Sequence, residues 1–466
     1  MKKVKLGEIG KIVTGKTPST KNISYFGGDY LFITPSDLHK KWLIEKTERS
    51  LSQNGFKSIL SNTINGLSIL VGCIGWDMGN VALVEKCCAT NQQINAITQI
   101  KPEYNPYYIY YWLTTKKDYL FKVASVTRTP ILNKTTFEEL LIPIPSKLTQ
   151  DNIANFLSSI DKKIELNNKI SKELEAMAKA LYDYWFVQFD FPDKNGKPYK
   201  SSGGLMLQNE TLKREIPKGW SIESLNKTEL CSIIPVGIKQ FHGEKTYLAT
   251  ADVSGTEIVS HNENTSYENR VSRANMQPTL NSVWFAKMKN TVKHLLINIS
   301  AKELIKNYIF STGFCGLQCN ENTIYYIWNY LRNDYFEKKK DTVASGATQQ
   351  AINDDDLSGF FVVIPPDELL KQFYAKVSSF YALINRNKFE NIELATLRDF
   401  LLPMLMNGQI QVTEAGNIIN KTQSIKKQDY NQRFELWLNN QKLAARGEID
   451  IQTLREMFDA MDDDDK

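Results

Sequence analysis

The chain has 466 residues, 42% hydrophobic and 23% charged, with a mean hydropathy of −0.36 and a formal net charge of +5. That length suits two or three domains, each with its own core. No run of about 18 uncharged apolar residues occurs, so no membrane span is expected, and the opening MKKVKLGEIGKIV lacks the apolar stretch of a signal peptide.

Six cysteines (73, 87, 88, 231, 315, 319) form no disulfide framework, which suits a reducing compartment and a cytoplasmic protein. Cys315 and Cys319 lack a second pair and the four histidines are scattered, so no metal site is predicted. Charge is uneven. Residues 1–140 hold 18 Lys and Arg against 11 Asp and Glu, whereas 407–466 hold 8 against 11. A basic first segment is either ordinary solvated surface or an electrostatic footprint for nucleic acid.

In chain order, Gly10-Lys11-Ile12-Val13-Thr14-Gly15-Lys16-Thr17 fits the phosphate-loop spacing. Such a loop works only between a buried strand and a helix whose N-terminus faces the phosphates. Here Pro18 and a polar turn follow, so a basic, hydroxyl-rich turn is the better description and a phosphate-loop ATPase the weaker alternative. Short strands are predicted at 30–33, 67–71 and 81–84. Between the last two, Gly72, Gly75 and Gly79 surround Trp76, Asp77 and Asn80 and let the backbone approach a partner closely. The amide-rich Asn91-Gln92-Gln93 follows. Asn105-Pro106-Tyr107-Tyr108 half matches an amino-methyltransferase motif, but reads as a helix start with Pro at its first position.

Residues 147–185 carry apolar residues three and four apart with no Pro or Gly. Ile153, Leu157, Ile160, Ile164, Asn167, Leu174 and Leu181 have the spacing of a coiled-coil seam. Adding 220 to each number reaches Phe373, Val377, Phe380, Ile384, Asn387, Leu394 and Leu401. A single Asn stands at the same internal place in both. The chain therefore reads as two copies of one unit, each ending in a long helix.

The predicted division is a first mixed domain (1–146), a first long helix (147–190) and a linker (191–215). A second mixed domain (216–366), a second long helix (367–405) with Pro403 as its stop, and a partly disordered extension (406–466) follow. The fold class is α+β: two repeated mixed domains separated by two long antiparallel helices that form an intramolecular coiled coil. In the extension, 433–445 and 451–461 are modestly amphipathic, and the final Asp462-Asp463-Asp464-Asp465-Lys466 is an acidic end or a tag remnant.

No catalytic constellation survives its context: there is no G-x-S-x-G, H-E-x-x-H or dinucleotide-binding glycine loop. A non-catalytic chain is expected, either a DNA reader or a coiled-coil scaffold without DNA readout.

The sequence resembles the specificity subunit of type I restriction–modification systems. The resemblance is carried by Thr14-Gly15-Lys16-Thr17-Pro18-Ser19, by Gln150, Ile153, Ala154, Leu157, Ile160, Asp161 and Ile164, and by Leu181-Tyr182-Asp183-Tyr184-Trp185-Phe186. Gly196 to Gly204 and Ile216-Pro217-x-Gly219-Trp220 add to it, so it covers residues 1 to about 405. It implies two target-recognition domains reading the halves of a split double-stranded DNA sequence. It also implies helices that dock two methyltransferase subunits, and further restriction (translocase–nuclease) subunits. S-adenosylmethionine, ATP and Mg would belong to those partners, with no cofactor in this chain.

Phosphate contacts position a DNA reader and base edges specify the sequence. In the first domain Lys16, Thr17 and Ser19, with Arg128 nearby, are the expected backbone contacts. Thr34, Ser36, Trp76, Asp77, Asn80, Gln92 and Gln93 are the expected base readers. In the second domain the candidates are Lys239, Thr250, Asp252, Lys287, Lys289, Thr348, Gln349 and Gln350. Each could instead serve as a turn or cap group.

Overall fold

A computed structural model describes residues 2–39, 42–126, 128–260, 264–346, 350–413 and 415. Thr348, Gln349 and the C-terminal stretches expected at 433–445 and 451–466 lie outside the described residues. The chain divides into two compact units. One combines Met1–Ile164 with the chain from Glu393 onward; the other is Glu165–Ile392.

In the first unit an antiparallel sheet runs in the spatial order Lys11–Thr14, Ile94–Thr98, Ser68–Gly72, Val81–Val84. Every residue of its three inner-core strands, from Ile94, Ser68 and Val81 onward, is buried. That is why these segments read as short continuous apolar runs rather than as alternation. A second sheet has the order Arg49–Leu51, Phe26–Ile33, Cys88–Thr90, Thr63–Ile64, with its two central strands parallel. Lys2–Lys5 pairs with Leu141–Ile144 and brings the chain to the first long helix.

The second unit repeats this plan strand for strand. Its antiparallel sheet is Cys231–Ile233, Phe314–Cys319, Ser282–Ala286, His294–Ile297. The other is Asn264–Thr265, Lys245–Leu248, Tyr308–Ser311, Ala274–Met276, again with the central pair parallel. Ser221–Ser224 pairs with Phe361–Ile364, which stands 220 residues after Leu141–Ile144. Even single hydrogen bonds recur: the Tyr108 hydroxyl donates to Pro143 O, and the Tyr326 hydroxyl to Val363 O.

The first long helix spans Lys147–Tyr182 and ends in a π turn, Asp183–Val187. The second spans Asp367–Met406. At 1.5 Å per residue they are ~54 and ~60 Å long. Pro403 does not stop the second helix. Proline removes one backbone N–H and crowds the carbonyl four residues back, at roughly 3 kcal/mol in a helix interior. Leu401, Leu402, Leu405 and Met406 are all buried around it, and each buried side chain of that size contributes ~1.5–3 kcal/mol. Packing outweighs the break, and the helix continues for three more residues.

The helix pair is antiparallel, because contacts descend one helix as they climb the other. Asp161 meets Arg398 in the first unit; in the second, Asn167 meets Asn391 and Ser171 meets Asn387. The apolar seam does more than join two helices. Ile153 and Leu157, with Leu401, share one core with Tyr108, Ile109, Tyr111 and Trp112 on the helix Pro106–Thr114. Phe373, Val377 and Ile384, with Leu174, Leu181 and Phe380 beside them, pack with Tyr325, Tyr326 and Trp328 on Ile324–Leu331. Ile160 and Leu394 are buried and Ile164 half-buried. Each recognition domain is thus seated on parts of both long helices.

Candidate nucleic-acid interface

At one end of the first unit's sheets, five loops are tied by backbone hydrogen bonds. Gly15 N donates to Ile94 O, Asn91 N to Ile33 O, Cys73 N to Gln93 O, and Gly75 N to Pro130 O. Gly15 allows the closest of these approaches: a β-carbon there would fall 2.1 Å from Asn91 O. The strand Lys11–Thr14 leads into this loop and no helix follows it before a short 3-10 turn at Ile23–Tyr25. The phosphate-loop spacing therefore sits in the wrong structural setting.

The cluster brings most first-domain candidates together. Lys16 and Ser19 are exposed. Thr17 donates its hydroxyl to Gln92 Oε1 at 2.8 Å, joining the first loop to the amide-rich one. Gln93 Oε1 accepts from Asn91 Nδ2 at 2.8 Å. Arg128 is exposed in the turn between Ser125–Val126 and Pro130–Ile131, next to Gly75 through Pro130. Trp76 is 70% exposed, with its ring against Phe121 at 5.9 Å. Thr34 caps a turn, with its amide and hydroxyl both donating to Asp37 Oδ2, while Ser36 beside it is exposed.

Asp77 and Asn80 belong to a charged network. Asp77 Oδ2 lies 2.6 Å from His39 Nε2, and Lys117 Nζ lies 3.1 Å from Asp77 Oδ1 and 3.0 Å from Asn80 Oδ1. Desolvation pushes the Asp77 carboxyl up, but the hydrogen bonds from Lys117 and Asn80 and the charges of His39 and Lys117 hold it below the usual carboxylate range. Gly79 closes the loop at φ +92°, with the Lys117 side chain where a β-carbon would stand. His39 and Lys117 carry no local sequence signal: each lies about 40 residues from Asp77 and meets it only in the fold.

In the second unit the corresponding loops gather Thr250, Lys287, Lys289 and Gln350. Lys287 N donates to Gly313 O and Lys289 N to Gln350 O. Lys293 Nζ donates to Thr250 O at 2.7 Å, and Lys287 Nζ pairs with Asp354 at 2.7 Å. Asp252 is buried and accepts from Ala249 N and the Ser260 hydroxyl, so its carboxylate is engaged in its own turn. Lys239 is exposed, and no described contact joins it to this cluster. Lys293 is the further basic residue that the sequence alone did not single out.

Burial pushes the Cys73, Cys88 and Cys231 thiols up to about 12, the opposite of an activated nucleophile. Among the described residues no group of three or more His, Cys, Asp or Glu could hold a metal. The Asn105-Pro106 segment caps a helix, with Asn105 Oδ1 accepting from the Tyr107 and Tyr108 amides. Among the described residues no helix is long and apolar enough to cross a membrane.

The duplicated α+β scaffold carries basic and amide-bearing loops at the same sheet ends in both repeats. Residues 1–176 match the family described as type I restriction modification DNA specificity domain. A type I restriction enzyme specificity subunit (MjaIX) of Methanocaldococcus jannaschii is 29% identical over 423 residues, covering 88% of this chain and 93% of that one. The HindI specificity subunit of Haemophilus influenzae is 25% identical over 352 residues, covering 62% and 74%. The crystal structure of a type I system S subunit from M. genitalium shares the fold, with a TM-score of 0.51 at 16% identity over 87% of this chain and 95% of that one. Residues 1–176 thus carry a match to the type I specificity domain, and most of the chain is similar to type I restriction enzyme specificity subunits.

Proposed function

We propose that each repeat reads one half of a split double-stranded DNA target and that the paired helices set the unread spacer between the halves. The observation that carries this reading is the matched placement of readers: Lys16, Thr17, Gln92 and Gln93 at one sheet end of the first repeat, Thr250, Lys287, Lys289 and Gln350 in the second. Lysines neutralise phosphates without regard to sequence, while amides and hydroxyls pair with base edges in the major groove. The long helices dock two methyltransferase subunits, and restriction subunits join that assembly. S-adenosylmethionine, ATP and Mg serve those partners, and the complex works in the cytoplasm.

The test is a map of modified adenines in host DNA with and without this gene. A split motif that disappears with the gene supports the reading. A methylome unchanged by its loss leaves a coiled-coil scaffold without DNA readout as the better account, and ATP turnover by the isolated chain would favour the phosphate-loop alternative.

A further inference from the structure

Lys340, on the helix Asp334–Val343, is fully buried, with a side-chain exposure of 0%. An ammonium has three donors, and here all three have acceptors. They are Ala286 O at 3.3 Å, Thr291 O at 2.7 Å and Glu337 Oε2 at 2.7 Å. The Glu337 carboxylate also stands 3.0 Å from His294 Nε2. The two carbonyls are the ends of one turn, 286–291, which carries Lys287 and Lys289. The neighbouring residue grips the same turn: Asp341 Oδ1 accepts from Asn290 N at 2.8 Å, and Asn290 is held at φ +54°. Left-handed backbone at a non-glycine residue persists only where its surroundings impose it.

A buried ion pair is a poor way to fill a core, since apolar side chains of similar volume are often as stable or more so. What the ammonium adds is direction: it ties both ends of the turn to one helix. Lys117 makes a looser version in the first repeat, gripping the equivalent hairpin loop through the exposed side chains of Asp77 and Asn80.

We propose that Lys340 is a positioning residue for base recognition by the second repeat, fixing the 286–291 turn so that Gln350, whose carbonyl accepts from Lys289 N, meets base edges in one register. This rests on the DNA-reading function proposed above. The experiment is the double variant Lys340→Met/Glu337→Gln, which removes both partners of the Lys340–Glu337 pair, expressed as the full chain with its partner subunits. Genomic adenine modification is then scored at the cognate motif and at sites one base away. The expected result is a roughly tenfold loss of discrimination in the second half-site, with first half-site discrimination unchanged. Unchanged discrimination in both halves overturns the proposal, as does a parallel loss in both together with a lowered melting temperature. If the double variant does not assemble, Asp341→Ala decides, with a loss of about threefold expected in the second half-site only. A wild-type chain that supports no split motif sinks the DNA-reading function itself and this proposal with it.

Discussion

The Tyr111 hydroxyl donates to Oδ2 of Asp161 at 2.5 Å, pinning the helix that closes the first recognition domain to the first long helix. Arg398 of the second long helix takes the other carboxylate oxygen. In the second repeat the same place holds Asn329, whose amide donates to the Tyr381 hydroxyl at 3.2 Å. The joint is charged in one repeat and neutral in the other. Removing one partner of a buried ion pair costs ~3–5 kcal/mol, and removing one hydrogen-bond donor ~1–3 kcal/mol. Arg398→Met should therefore destabilise the chain more than Tyr111→Phe in denaturant unfolding; the reverse order would mean the charge pair is not what holds this joint.

Asn167 is 1% exposed, and its Nδ2 donates to Glu390 Oε2 and Asn391 Oδ1 at 2.8 and 2.9 Å. Asn387 Nδ2 donates back to Asn167 O and Ser171 Oγ. Polar residues in an apolar seam fix register at some expense in stability. The double change Asn167→Leu/Asn387→Leu should raise the melting temperature. It should also blur the pairing, seen as mixed products when cysteine pairs report which residues face each other.

Acid should loosen the second repeat through Glu337. Burial raises its carboxyl, but the nearby His294 and Lys340 outweigh that and lower it from the ordinary value. A depressed folded value means the stabilisation is fully present above the unfolded carboxylate range, ~4.3, and is lost as pH falls through the folded value. Stability measured from pH 7 down to 3 should fall less steeply for Glu337→Gln than for the wild type.

On DNA the two kinds of contact should separate. Lys16→Ala should weaken binding to every sequence and flatten the plot of log affinity against log salt by about 0.9. Gln92→Ala should relax the first half-site alone, because its partner Thr17 lies in the same domain. Equal effects from both substitutions would remove the distinction between anchoring and reading.

Because the long helices pair antiparallel, a change in spacer should need matched edits. Removing one turn (~6 Å) from each helix at paired positions should shorten the unread stretch by one or two base pairs, at ~3.4 Å each. Both half-sites should keep their sequence in the methylome.

The duplication and the seam are legible in the sequence because they are local and periodic: an offset of 220 survives in the strands Leu141–Ile144 and Phe361–Ile364 and in Asn167 and Asn387. The turn residues around Gly15 and Gly79 are legible for the same reason. Lys117, His39, Lys340 and Glu337 are not, since each acts on a loop 37 to 54 residues away or within a buried cluster that no spacing announces. Pro403 misleads in the other direction, because a local rule meets four buried apolar neighbours.

One unit is an uninterrupted stretch of chain, while the other is assembled from the two ends around it. During synthesis, Glu165–Ile392 has emerged in full while Ile153, Leu157 and Tyr111 still lack Leu401, Leu405 and Arg398. The half of the protein made first is therefore the half finished last. Its apolar face stays uncovered until the end of the second long helix leaves the ribosome, and a chain cut short just after Ile392 has one complete unit and one open core.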